Sequence, residues 1–212
     1  KNIFIFISGA DSSGKTTLIN DFEKLFSKYA KTKKYNIGKP FPQFISQFFF
    51  YKKKSSKKII THDNVNDSIS KIFKNLNLSL LRYIYSLNIF YFNCRTNIFL
   101  FDRYVSEFQG QINGPRLKVH KKLNLFKRLI YKLENHFYKF IKPLDIEFRL
   151  MTSLEICLKR NFERSKKEKE TDNDIIQRYN IFLKTKFKSK RVIELENDSN
   201  KTEAINKIIK II

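Results

Sequence analysis

The sequence predicts an α/β fold, a doubly wound, mostly parallel five-stranded sheet with helices on both faces. Three observations lead there. Short continuous apolar runs, rich in β-branched and aromatic residues, recur along the chain, as strands buried on both faces require. Longer stretches between them return an apolar residue every three or four positions, the period of an amphipathic helix. The first run also leads straight into a glycine-containing turn and then a helix, the order a phosphate-binding unit needs.

That first run is Asn2 to Ile7 (NIFIFI), and the turn is Gly9 to Thr17, GADSSGKTT, which fits G-x-x-x-x-G-K-[ST]. Gly9 and Gly14 let the backbone curl around Ser12 and Ser13, so that successive N–H groups point at one anion. The helix opening at Lys15 aims the positive end of its dipole at the same place. Lys15 is then expected to reach the β- and γ-phosphates of a nucleotide while the Thr16 hydroxyl, beside Thr17, takes a place on Mg²⁺. Leu18, Ile19, Phe22, Leu25, Phe26 and Tyr29 give this helix its apolar face.

Lys33 to Ile37 is the second expected strand, ending in a rigid loop, Gly38-Lys39-Pro40-Phe41-Pro42, at the edge where open α/β sheets bind ligands. Residues 43–60 join Phe44, Phe48, Phe49, Phe50 and Tyr51 to a lysine cluster. They read as a short buried helix and a solvated loop, or as an aromatic wall for a nucleobase. Residues 67–93 form a long helix capped at Asp67 or Ser68, with Ile69, Ile72, Phe73, Leu76, Leu80, Ile84, Leu87 and Phe90 expected in the core. The third strand, Asn97 to Phe101, ends directly in Asp102-Arg103-Tyr104, so an acid points into the same crevice as the glycine turn.

After the loop at 108–116, residues 118–141 form a basic helix in which Leu125, Leu129, Leu133, Phe137 and Phe140 return about every four positions. A core face with a solvated basic face is the expected outcome, an anionic membrane surface the other. Residues 143–151 supply a fourth strand, 154–162 a helix, 172–187 another, 191–195 a weaker fifth strand and 202–211 a closing helix. Charge is densest at 160–170, including Lys166, Lys167 and Lys169.

At 212 residues the chain fits one domain with a sizeable core. No apolar stretch reaches membrane-spanning length, and no signal peptide is read at the start. Cys94 and Cys157 lie far apart without metal-ligand spacing and read as reduced thiols of a cytoplasmic protein. The start at Lys1 rather than Met leaves open a longer parent chain. The formal charge of +23 invites a nucleic-acid reading, yet Lys, Asn, Ile and Phe are inflated together, as A/T-rich codon usage would produce. No nucleic-acid module accompanies the charge, so nucleic-acid binding is not the expected function. His62, His120 and His136 form no triad or metal set.

With these motifs in place, the chain from Asn2 to about Leu195 resembles the thymidylate kinase-like branch of the P-loop nucleoside monophosphate kinases. The loop GADSSGKTT carries the acid that this family places two residues after the first glycine, at Asp11. FDRY at the third strand's end matches the family's Asp-Arg-Tyr motif. PLDIEFRLMTSLEICLKR is similar to the family's entry to the lid, with Glu155, Leu158 and Arg160 at matching positions. Three features depart from the family: Gly38-Lys39-Pro40 stands in place of a Glu-Pro-Gly-Gly loop, Met151 in place of an acid, and the loop after the DRY, with NGPR at 113–116, is shorter.

The resemblance implies a single P-loop kinase domain with a lid near 160–172, ATP and Mg²⁺, nucleotide substrates, no membrane, and dimers whose contact surface the sequence does not identify. Lys15, Asp102, Arg103, Arg160 and Arg164 would carry the phosphoryl transfer, the last two as lid cations, since positions 12 and 13 are serines. Gly9, Ser12, Ser13, Gly14, Lys15, Thr16 and Thr17 would hold ATP, and Thr16 with Asp102 the metal. Asp11, Lys39, Arg82, Arg103 and Tyr104 would meet the acceptor, Asp11 at a sugar hydroxyl and Arg82 at the base. The default acceptor is dTMP. A nucleoside or sugar kinase, a nucleotide-binding regulatory module without turnover, and a basic ATPase acting on nucleic acid are the competing readings.

Overall fold

The computed structural model describes residues 2–40, 69–92, 96–117, 125–164 and 170–197, with Ile205 and Ile208. The aromatic stretch at 43–60, the caps Asp67 and Ser68, Cys94, His62, His120, Lys166, Lys167, Lys169 and most of the closing helix lie outside the described residues.

Among the described residues five strands form one sheet: β1 (Ile3–Gly9), β2 (Thr32–Asn36), β3 (Ile98–Arg103), β4 (Leu144–Met151) and β5 (Ser189–Glu196). Their spatial order is β2-β3-β1-β4-β5, and every pairing is parallel. The expected sheet is thus found, wholly rather than mostly parallel. β1 lies at its centre, with Phe6 in register with Phe101 on one side and Glu147 on the other. Side chains alternate along it. Phe4 and Phe6 enter one core with Phe99, Phe101 and Tyr104, while Ile5 and Ile7 enter the opposite core with Leu18, Ile19 and Phe22. Both faces are therefore apolar, which is why the strand reads as a continuous run. The edge strand β2 buries only Tyr35 fully.

The helices are α1 (Lys15–Phe26), α2 (Ile69–Leu87, continued by a π-helical turn at Asn88–Phe92), α3 (Leu125–Phe140), α4 (Leu154–Phe162) and α5 (Asp172–Lys184). Leu18, Ile19 and Phe22 of α1 cover one face of the sheet; Ile89, beyond α2, and Tyr138 of α3 belong to the core on the other. Thr171 starts α5 by accepting the Asp174 amide at 3.3 Å. Cys157 is a buried thiol.

The orientation of α2 and α3 differs from the sequence expectation. Ile72, Leu76 and Phe90 pack inward as expected, but much of each apolar stripe faces outward. On α2, Ile69, Phe73, Leu80 and Ile84 are exposed, whereas Ile72, Asn75, Ser79, Arg82 and Ser86 are buried. On α3, Leu125, Leu129, Leu133 and Phe140 are exposed, and Ile130, Tyr131, Glu134 and Tyr138 are buried. The physical reason is a polar seam satisfied inside the fold. Glu134, 1% exposed, accepts the Ser79 hydroxyl at 3.0 Å and the amides of Arg116 and Leu117 at 3.2 and 2.9 Å. A buried carboxylate with three donors holds the polar side of each helix inward. Tyr29, expected on the apolar face of α1, lies past the helix end and is exposed.

Candidate functional site

The Gly9–Thr17 loop leaves the C-terminal end of the central strand. Ser12 (φ 65°) and Gly14 (φ 90°) both adopt the left-handed conformation, and Gly14 stands as the N-cap of α1 without any side-chain cap bond. No acid lies in the first turn of α1, so its leading N–H groups meet no carboxylate of that turn. The loop is held from beneath. The Ser13 carbonyl accepts Asn197 Nδ2 at 2.6 Å, Arg160 Nη1 at 3.3 Å and Thr152 Oγ1 at 3.5 Å. The Ser12 and Ser13 hydroxyls are buried without hydrogen-bond partners. Lys15 folds its ammonium onto the Ala10 carbonyl.

Gly9 is sterically required. A Cβ there would sit 2.4 Å from Ser13 Oγ, 3.1 Å from Lys15 Cγ and 3.2 Å from Leu150 Cβ. Gly9→Ala is accordingly expected to cost about 1–3 kcal/mol by overpacking. Thermal unfolding would check it.

A cleft of about 430 Å³ opens in front of this loop. Asp11 and Lys15 line it from the loop, Asp102 and Arg103 from the end of β3, and Lys39 from the segment after β2. Backbone geometry brings the last two segments together, because the amides of Ile37 and Gly38 both donate to the Arg103 carbonyl, at 3.1 and 3.4 Å, and the pairing of β1 with β3 sets the loop beside them. Ser8, Asn113 (φ 57°), Glu170 and Arg178 add to the polar lining. Four cations thus face three carboxylates, and the cleft carries a net positive charge.

Burial pushes the Lys15 ammonium below its ordinary value; the charges of Asp11 and Asp102 oppose that shift and Arg103 adds to it. A desolvated cation of this kind gains from any anion that enters. For Asp11, burial alone would raise the carboxyl. The hydrogen bond from Arg178 and the charges of Lys15, Arg178 and Arg103 outweigh it, so the group lies below the usual carboxylate range.

Arg178 was not anticipated. It donates to Asp11 Oδ2 at 2.9 Å and to Glu170 Oε2 at 2.7 Å, bridging the glycine loop to α5. Burial opposes its charge, and the two carboxylates more than offset that, leaving it above its ordinary value. Since the Asp11 carboxyl is depressed when folded, the pair stabilises above the unfolded carboxylate value and that contribution is lost as pH falls through the folded one. Both partners are about one-third to one-half exposed, so the stability at stake is at most about 1 kcal/mol. Urea unfolding at neutral pH and near pH 3 is expected to show Asp11→Asn losing less stability on acidification than the wild type.

Several expected residues lie elsewhere. Arg82 does not line the cleft. It is 1% exposed and donates to the carbonyls of Gly38 (2.8 Å) and Asn113 (3.0 Å) and to Tyr138 Oη (2.6 Å). Its role here is to tie the segment after β2 to the 106–117 loop. Arg160 sits under the glycine loop on the carbonyls of Ser13 and Asn197 rather than over the cleft. Arg164, exposed beyond α4, does not line the cleft either. Tyr104 lines it, yet its hydroxyl is buried on the Lys142 carbonyl, and burial raises the phenol well above its ordinary value. Thr16 and Thr17 are exposed at the start of α1.

No family model matches the sequence, and no curated protein matches it. The site therefore stands on its own geometry. Among the described residues no three His, Cys, Asp or Glu side chains gather as a metal cage. Asp102, facing the glycine loop in the cleft, is a ligand of the kind Mg²⁺ takes, since that ion commonly binds through one or two carboxylates plus substrate phosphates. No helix of the described residues is long and apolar enough to cross a membrane.

Proposed function

We propose that the chain is an ATP-dependent phosphotransferase of the thymidylate kinase-like type, a cytoplasmic P-loop kinase domain that moves a γ-phosphoryl group to a nucleoside monophosphate, dTMP first among them. The observation that carries this reading is one cleft holding both Lys15 of the glycine loop and the Asp102-Arg103 pair from the neighbouring strand. The loop's position at the C-terminal end of the central strand of a β2-β3-β1-β4-β5 sheet supports it, since ligands of open α/β sheets bind at that edge.

Phosphoryl transfer asks for positioning and charge neutralisation more than covalent chemistry. Lys15 and the first-turn amides of α1 would hold the donor's β- and γ-phosphates. Thr16 and Asp102 would hold Mg²⁺, which when bound offsets negative charge on the phosphate oxygens. Arg103 and Lys39 would grip the acceptor's phosphate, Arg103 through its bidentate fork. Asp11, held in place by Arg178, would accept a hydrogen bond from the acceptor's sugar. Arg178 is also the cation best placed for the charge that develops in transfer, because it lines the cleft and Arg160 and Arg164 do not.

The presence of both Lys39 and Arg103 in the cleft favours a phosphorylated acceptor over a bare nucleoside or sugar. An ADP-coupled screen over monophosphates, nucleosides and sugars tests the reading. ADP release stimulated by one monophosphate is expected. Stimulation by a nucleoside or sugar alone would identify a different small-molecule kinase, and tight ATP binding without ADP release a regulatory module. Steep salt-dependent binding to DNA or RNA would favour an ATPase acting on nucleic acid.

A further inference from the structure

Beneath the cleft lie two charged side chains that its chemistry does not use. Glu147 is fully buried on β4, in register with Phe6 of β1. Its Oε1 accepts the Ser8 hydroxyl at 2.7 Å and Arg149 Nε at 3.2 Å, and its Oε2 accepts the Ser189 hydroxyl at 3.1 Å. One carboxylate thus links β1, β4 and β5. Ser8 lines the cleft and immediately precedes Gly9, so the link ends at the root of the glycine loop.

The far side of Arg149 reaches α5. Its Nη2 donates at 2.5 Å to the carbonyl of Thr185, the C-cap of that helix, and its guanidinium lies 5.4 Å from the centre of the Phe182 ring. A cation at a helix C-terminus meets the negative end of the dipole. Thr185 also holds the segment opposite, since its hydroxyl oxygen accepts the Ile112 amide at 3.5 Å. α5 is the helix that brings Arg178, Ile181 and Phe182 to the cleft. Arg178 stands two turns before Thr185, about 10 Å along the axis, so the end of the helix acts on it as a lever.

We propose that Arg149, oriented by Glu147, is a positioning residue for phosphoryl transfer: it fixes the end of α5 against the root of the glycine loop and so sets where the Arg178 guanidinium stands. Stability alone does not account for the pair. Desolvating two charges costs so much that such a pair stabilises little relative to apolar residues of similar volume. What it supplies is direction. Arg149 uses separate nitrogens of one rigid fork, Nε for Glu147 and Nη2 for Thr185, so the carboxylate and the helix end are held at a fixed spacing. Arg178, by contrast, meets both Asp11 and Glu170 through Nη1 alone, so its place in the cleft follows its helix. The kinetic part of the inference rests on the phosphotransferase reading; the placement of α5 does not.

ADP-coupled kinetics of the full chain test it, with Arg149→Met, Arg149→Lys and Glu147→Gln each made alone and beside Arg178→Ala. Arg149→Met is expected to lower kcat about ten- to a hundredfold, the size of loss a small misplacement of a reacting group produces, with the KM for ATP little changed. Arg149→Lys should recover part of that loss. Glu147→Gln, which keeps a partner for both serines, should fall between them. Beside Arg178→Ala none of the three should lower kcat further, because the effect runs through Arg178. Losses that add in both backgrounds would overturn the proposal, as would an Arg149→Met variant that unfolds more easily in urea yet keeps its kcat, the mark of a merely structural pair. Wild-type protein that releases no ADP with any monophosphate would sink the phosphotransferase reading instead. Hydrogen exchange then decides: faster amide exchange at residues 178–186 of Glu147→Gln, with unchanged global unfolding, is expected, and unchanged exchange there would overturn the placement of α5 by this pair.

Discussion

Lys15→Ala is expected to lower turnover about a thousandfold while leaving the protein folded, the size of loss seen when one preorganised charge-stabilising donor is removed from a reacting centre. The stability side follows from the burial of Lys15. Its ammonium is desolvated enough to lie below its ordinary value, so removing it relieves a cost as well as breaking its bond to the Ala10 carbonyl. The two effects are of opposite sign. Asp11 keeps Arg178 as its partner in the variant, and the cleft retains Arg103 and Lys39. The measurement is an ADP-coupled rate beside a urea unfolding curve. Turnover that survives the substitution would remove the glycine loop from the reaction.

Arg82→Ala is expected to do the reverse, damaging the fold first. Its guanidinium serves the carbonyls of Gly38 and Asn113 and the hydroxyl of Tyr138, and those acceptors are left unserved when it goes. Orphaning buried acceptors costs about 1–3 kcal/mol each. Relief comes from one source, the end of burying a cation whose Nε has no partner. The losses win, and a net destabilisation of about 2–4 kcal/mol is expected, with a raised KM for the acceptor, because Lys39 and Asn113 sit on the two segments that Arg82 ties together. Unchanged unfolding with a raised KM alone would mean instead that the side chain works at the acceptor's base, the role its sequence position suggests.

How far the sequence was legible depended on what each pattern encodes. β1, β3 and the glycine loop were readable because a strand buried on both faces leaves a continuous apolar run, and because the left-handed turn demands glycine at 14. Asp102 and Arg103 were readable once β3 was, since a strand's C-terminal end fixes where they point. Periodicity on α2 and α3 was equally visible, but it says that a helix has an apolar side and not what that side meets. Asn75, Ser79, Arg82 and Ser86 repeat with the same period, and partners distant in sequence turn that side inward, Glu134 for Ser79 and Gly38, Asn113 and Tyr138 for Arg82. Arg178 left no signal. It stands 167 residues from Asp11 in an ordinary-looking amphipathic helix, and nothing local announces such a pairing.

The three donors that hold the Ser13 carbonyl come from Thr152, Arg160 and Asn197. The loop is thus finished by residues 139 to 184 positions further along the chain, and its strand is flanked by β4, some 140 positions later. Contacts so distant in sequence are late and slow to form. A nascent chain still emerging from the ribosome would carry every glycine and lysine of the loop while the Ser13 carbonyl still waited for its donors, the last of which arrives with Asn197.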